Sequence, residues 1–101
     1  MYISRLLFHA IPGKTGEVEK QLAKLQEMVE TDDGNARCRI LHTHFASPGA
    51  ADSIFEQEAL DVRSLEANMA QLTATSEFQS WSNNMSKLLT RSPRRELYIV
   101  K

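Results

Sequence analysis

Tyr2-Ile3-Ser4-Arg5-Leu6-Leu7-Phe8-His9-Ala10-Ile11 is the stretch whose reading decides the fold. Pro12-Gly13 halts it. Side chains of a strand alternate between two faces. One face reads Tyr2, Ser4, Leu6, Phe8, Ala10, and the other reads Ile3, Arg5, Leu7, His9, Ile11. Both are largely apolar, so the strand needs cover on both sides. The rest of the chain supplies helix for one face only, and the inferred cover for the other is a second copy of the protein.

Composition sets the bounds. A chain of 101 residues makes one domain, residues 1–101, and buries roughly 60–65% of its unfolded surface. A net charge of -1 provides no field for nucleic acid or an acidic membrane. No Lys/Arg cluster is interleaved with exposed aromatics, which argues against nucleic-acid binding. Arg91, Arg94 and Arg95 lie close together, but Pro93 among them reads as a turn before a strand. The lone Cys38 excludes an internal disulfide and a cysteine-rich zinc site, and a reducing cytoplasm fits. The N-terminal apolar run is short, holds Arg5 and His9 and lacks a small-residue cleavage site, so no signal peptide is expected. No apolar run approaches the ~20 residues that span a bilayer.

Beyond Pro12-Gly13, helical spacing of Val18, Leu22, Leu25, Met28 and Val29 predicts a helix from about Thr15 to Val29. Glu17 and Glu19 suit its first turn, and Gly34 suits a left-handed position after it. The Asp32-Asp33 pair lacks the spacing and closing Glu of a calcium loop. Arg37 to Phe45 reads as a strand with Cys38, Ile40, His42 and His44 on one face. Ser47 to Asp52 is a turn around Pro48-Gly49. Ser53 to Leu60 reads as a third strand, with Phe55, Gln57 and Ala59 on one face and Ile54, Glu56 and Glu58 on the other. Glu56 and Glu58 are expected at a solvated or dimer-rim edge. A second helical region starts at Asp61 to Ser64, breaks at Thr73-Ala74-Thr75, and restarts at Ser76-Glu77-Phe78-Gln79 as a capping box. Phe78, Trp81, Met85, Leu88 and Leu89 continue it. Ser92-Pro93 stops it before a last strand, Glu96 to Val100.

The order β-α-β-β-α-α-β predicts an α+β, ferredoxin-like domain: a four-stranded antiparallel sheet with helices on one face. Two such sheets packed face to face make a dimeric α/β barrel, which accounts for the two-sided first strand.

Three segments carry a family resemblance: Asp61-Val62-Arg63-Ser64-Leu65-Glu66-Ala67-Asn68, Ser76-Glu77-Phe78-Gln79-Ser80-Trp81 and Glu96-Leu97-Tyr98. With Pro12-Gly13-Lys14 and the element order, the chain resembles the antibiotic-biosynthesis monooxygenase family of dimeric α/β barrels. The resemblance spans nearly the whole chain through short, degenerate motifs. It implies a cofactor-free oxygenase acting on phenols or quinols. Heme-degrading relatives use an Asn, a Trp and a His at positions occupied here by Leu6, Asn68 and Ser82, so the resemblance does not extend to heme degradation. A shared fold does not by itself carry function.

Cofactor-free oxygenation needs an electron-rich substrate in a dry pocket and a group that removes its proton. Histidine exchanges protons near neutral pH, which makes His42 and His44 the candidate bases, with His9 near them. Their plain alternative is hydrogen-bonded strand histidines. Trp81 and Asn68 are candidates for positioning a ring and its oxygen, with ordinary core and a solvent-facing amide as the alternatives. Leu6, Phe8 and Phe45 are candidate pocket walls, or simple barrel packing. No metal site and no cofactor is expected.

The leading expectation is a homodimeric, cofactor-independent monooxygenase-like protein for a small aromatic phenol or quinol. The alternative is a non-catalytic small-ligand-binding or stress-related protein of the same fold. A third is a structural dimer module, which an exposed apolar patch outside the dimer face favours. Pocket size separates the first two: an interior too small for a ring argues against the enzyme.

Overall fold

A computed structural model describes all residues, 1–101. The order is β1 (Tyr2–Phe8), α1 (Thr15–Asp32), β2 (Arg37–His42), β3 (Ser53–Ala59), α2 (Val62–Thr73), α3 (Ser76–Ser86) and β4 (Arg94–Ile99). The four strands form one sheet in the order β2-β3-β1-β4, antiparallel at every pairing. β1-α1-β2 crosses over β3, and β3-α2-α3-β4 crosses over β1, so two βαβ units interleave. This is the α+β, ferredoxin-like arrangement the element order predicts.

The helices lie on one face only. Phe8 and Phe55 from the sheet meet Val18, Leu22, Leu25 and Val29 of α1 and Trp81 and Met85 of α3 in a single core. Burying each such side chain is worth about 1.5–3 kcal/mol, and this layer is the main source of stability. α1 lays its apolar stripe on β2 and β3, while α3 packs beside it.

The helix ends follow local chemistry. Asp61 caps α2, its Oδ1 accepting from the Ser64 N–H at 2.7 Å. Thr75 caps α3, its hydroxyl accepting from the Phe78 N–H at 3.1 Å. The cap is therefore one residue earlier than the Ser76 box expected from sequence. The α1 stop differs too. Asp33 occupies the C-cap in an extended conformation, and Gly34 is not among the positive-φ glycines, so no left-handed residue ends this helix. Asp33 instead accepts from the Asn35 N–H at 3.0 Å, a local turn that serves the same purpose. Gly13 does take a left-handed φ of 84°, in the turn that sends the chain from β1 into α1.

The uncovered face carries Ile3, Arg5 and Leu7, all half-buried in the single chain. Register aligns its side chains in rows. Leu41, Ile54 and Leu7 form an apolar row ending at Arg94. Beside it, Arg39, Glu56, Arg5 and Glu96 alternate in charge across all four strands. Glu56 is only 2% exposed, against the solvated edge expected for it. Arg5 Nε donates to its Oε1 at 2.9 Å, and Arg39 Nε donates to its Oε2. Burial pushes the Glu56 carboxyl up, but the hydrogen bonds and charges of Arg39 and Arg5 outweigh it and the net shift is down. The Arg5 guanidinium also lies 5.3 Å from the Tyr98 ring centre, within cation–π range.

Candidate functional site: a pocket between sheet and helices

An enclosed, largely apolar pocket lies between the sheet and the helices. Its floor is Ser4 and Leu6 of β1 with Phe55 and Gln57 of β3, and Leu25 and Val29 of α1, Met69 of α2, and Phe78 and Trp81 of α3 close over them. Arg95 of β4 completes the lining. Trp81 is fixed in place, since its Nε1 donates to the Gln21 carbonyl at 2.6 Å. Phe78 leans on it, ring centres 5.3 Å apart.

Two polar side chains break this apolar lining. Ser4 and Gln57 are direct partners across β1 and β3. They are 4% and 6% exposed. Neither side chain hydrogen-bonds to the rest of the protein, but the one side-chain polar atom both sealed and without a partner is His9 Nδ1, so Ser4 and Gln57 reach space that a water can enter. A buried polar group without a partner costs about 1–3 kcal/mol. Buried hydroxyl and amide groups facing an apolar pocket are the usual means of orienting a bound molecule. On the far side of Gln57, a void of about 10 Å³ is lined by Asn68, whose amide reaches Asp33 at 3.5 Å.

The cavity itself is about 40 Å³. That accommodates a water or two, whereas a benzene-binding cavity measures about 150 Å³. A ring therefore fits only when the rim yields. Met69 and Phe78 are half-buried there, and Met is an adaptable gap-filler. A larger, open groove of about 350 Å³ runs along the outer side of Trp81 and Met85, between α3 and residues 89–93.

The sequence candidates separate into distinct places. Leu6 and Trp81 line the pocket. Phe8 is core beneath α1, 1% exposed, and Asn68 borders the neighbouring void. Phe45 does not form a wall in the single chain. β2 ends at His42, so Phe45 lies in the following loop, 91% exposed, edge-on to His44 at 4.6 Å. His44 shares that exposed loop. His9 is held by Nε2 at 3.1 Å from the Gly49 carbonyl. None of the three histidines lines the pocket.

His42 has a setting of its own. Its Nδ1 lies 2.6 Å from Glu19 Oε2, and the buried Ser53 hydroxyl donates to the same oxygen at 2.6 Å. Partial burial raises the Glu19 carboxyl, but the Ser53 and His42 hydrogen bonds and the His42 charge bring it below its ordinary value. An ionised carboxylate accepts only, so Nδ1 carries the hydrogen and Nε2 is left free. This is the geometry of an oriented histidine. It stands where the first turns of α1 meet the ends of β2 and β3, whereas the pocket is closed by Leu25 and Val29 farther along α1 and by α2 and α3. Burial, with Glu30 and Asp33 adding to it, pushes the Cys38 thiol up to about 11, which leaves little thiolate at neutral pH. No three His, Cys, Asp or Glu side chains are grouped to hold a metal ion, and no helix is long and apolar enough to cross a membrane.

Sequence reading missed Gln57 and Arg95. The signal for Gln57 was present, since an amide stood between Phe55 and Ala59 on a face otherwise built for the core.

These features define a ferredoxin-like α+β domain with an enclosed pocket under its helices, and solved structures with the same fold are similar to it over nearly their whole length. A NIPSNAP domain protein from Burkholderia xenovorans is 17% identical, with 100% of this chain and 95% of that chain covered at a TM-score of 0.76. A candidate antibiotic biosynthesis monooxygenase from Nitrosomonas europaea is 14% identical, covering 99% and 98% at 0.71. A NIPSNAP family protein from Agrobacterium tumefaciens is 14% identical, covering 99% and 92% at 0.77. At such identities the likeness is one of fold. No protein-family model matches the chain, and no curated protein sequence is similar to it.

Proposed function

We propose that this chain is a homodimeric small-ligand-binding protein that takes a small aromatic phenol or quinol between its sheet and its helices. The observation that carries this reading is the pair of buried, unpartnered groups, Ser4 and Gln57, on the floor of an otherwise apolar pocket. The cavity of about 40 Å³ admits a ring only when Met69 at its rim moves aside; the ring then lies against Trp81 and Phe78, and its oxygen meets the Gln57 amide or the Ser4 hydroxyl. The dimer covers the open sheet face, where the apolar row of Leu41, Ile54 and Leu7 lies beside the charged row. The cytoplasm suits a chain with one cysteine.

The test is an amide NMR titration with 1-naphthol. Shifts concentrated at Ser4, Gln57 and Trp81 support the reading. Saturating ligand with no shift at those three overturns it.

A second reading, cofactor-free oxygenation of the bound quinol, is favoured by the candidate monooxygenase among the similar structures. It needs a proton acceptor, and the pocket lining contains no carboxylate or histidine. His42 is the one histidine held by a carboxylate with a nitrogen free. Because His42 lies outside the pocket, oxygen uptake with a naphthohydroquinone above the protein-free rate, whether or not His42→Ala abolishes it, supports that reading. No uptake above the protein-free rate leaves ligand binding as the function.

A further inference from the structure

The pocket has an asymmetry that its apolar walls conceal. Its one charged lining residue is Arg95. Arg95 is the β4 partner of Leu6, so it stands on the helix-covered face of the sheet, at its exposed edge. It forms no salt bridge, unlike Arg5 and Arg39 on the opposite face. Across β1 and β3 from it lie the buried, unpartnered Ser4 and Gln57. The pocket thus has polar, uncharged groups at its floor, aromatic and apolar walls, and one free cation at its rim.

Resting on the reading of this pocket as a ligand site, we infer that its ligand is an anion: a planar aromatic or unsaturated carboxylic acid carrying a second oxygen. The carboxylate meets Arg95 in the paired, planar geometry that guanidinium favours. The ring lies along Trp81 and Phe78. The second oxygen, a hydroxyl or carbonyl, satisfies Gln57 or Ser4. A neutral phenol of the same size fills the walls and the floor but leaves Arg95 in water.

Trp81 is the only tryptophan of the chain and borders both this pocket and the outer groove, so its quenching is assigned to the pocket by the Arg95 variant, since Arg95 lines the pocket and not the groove. The test compares 4-hydroxybenzoate with 4-methylphenol in tryptophan-quenching titrations of the intact protein. Arg95→Gln is the variant. Arg94→Gln is the control, because Arg94 pairs with Leu7 and points to the opposite face. Both arginines are exposed, so both variants should fold, and circular dichroism verifies this. The acid should bind about tenfold more tightly than the neutral phenol, the worth of one charge-assisted hydrogen bond. Arg95→Gln should erase that advantage without weakening the phenol, and Arg94→Gln should change neither. Equal binding of acid and phenol, or an acid preference that survives Arg95→Gln, overturns the inference while leaving the pocket as a ligand site. Failure of both ligands to bind overturns the inference together with the reading beneath it.

Discussion

Ser4 and Gln57 face one another across β1 and β3, both at least nine-tenths buried, and both line the same cavity. Replacing Gln57 by Leu keeps the volume and removes an unpaired amide. An amide whose only partner is cavity water bears part of the roughly 1–3 kcal/mol penalty of a buried unpartnered group, so Gln57→Leu should stabilise the protein by up to about 1 kcal/mol in urea unfolding. The same change should weaken binding of a hydroxyaromatic ligand. Loss of stability instead means the amide is satisfied in the free protein.

Glu19 holds Ser53 and His42 through one carboxylate oxygen, yet the two depend on it unequally. Ser53 is fully buried, whereas His42 is exposed. Glu19→Ala strands a buried hydroxyl and should cost about 1–3 kcal/mol. His42→Ala removes an exposed partner and should cost less than about 1 kcal/mol. Denaturant midpoints of the two variants, compared directly, test the order.

Glu56 sets part of the acid limit of stability. Its folded carboxyl titrates below its ordinary value. The stabilisation from Arg39 and Arg5 is therefore full above the ordinary glutamate range and is lost as pH falls through the lower, folded value. Glu56→Gln should cost about 1–3 kcal/mol at neutral pH, less than the roughly 3–5 kcal/mol of a broken fully buried pair, because both arginines keep access to water. It should also flatten the fall in stability on acidification, followed by thermal unfolding at successive pH values.

The open face is expected to hold the second copy. Leu7→Asp places a charge in the middle of the apolar row of Leu41, Ile54 and Leu7 without touching the helical core. Light scattering should give twice the mass of the 101-residue chain for the natural protein. The variant should give the single-chain mass with its helix content intact. A single-chain mass for the natural protein removes the dimer.

How far the structure was legible varied with the range of the forces involved. The stripe of Val18, Leu22, Leu25 and Val29 and the alternation of β1 depend on local spacing, and both elements form there, although β1 ends at Phe8 rather than Ile11 and α1 runs on past Val29 to Asp32. The Thr75 cap and the α1 stop were misplaced, because Ser, Thr, Asp and Gly compete closely for such positions. The environment of Glu56 was illegible: it is made by Arg39 and Arg5, from two other strands, and only strand register brings them together. The same holds for Glu19, whose partners lie 23 and 34 residues away. His42 and His44 looked equivalent by alternation until β2 ended between them. Arg95 was read as part of a turn, and register with Leu6 makes it part of the pocket.

The sheet order has a consequence for how the protein is made. β1 occupies an inner position, between β3 and β4. Its register joins Tyr2 to Ala59 on one side and to Ile99 on the other. Every ladder bond of β1 therefore waits for strands translated long after it, and its second edge waits for nearly the whole chain. Pairings between such distant residues form slowly. During synthesis Ile3, Leu6, Leu7 and Phe8 stay unpaired in an apolar, strand-prone segment, a state that invites association. Arg5, set midway in that run, is positioned to keep the waiting strand soluble before Glu56 arrives to claim it.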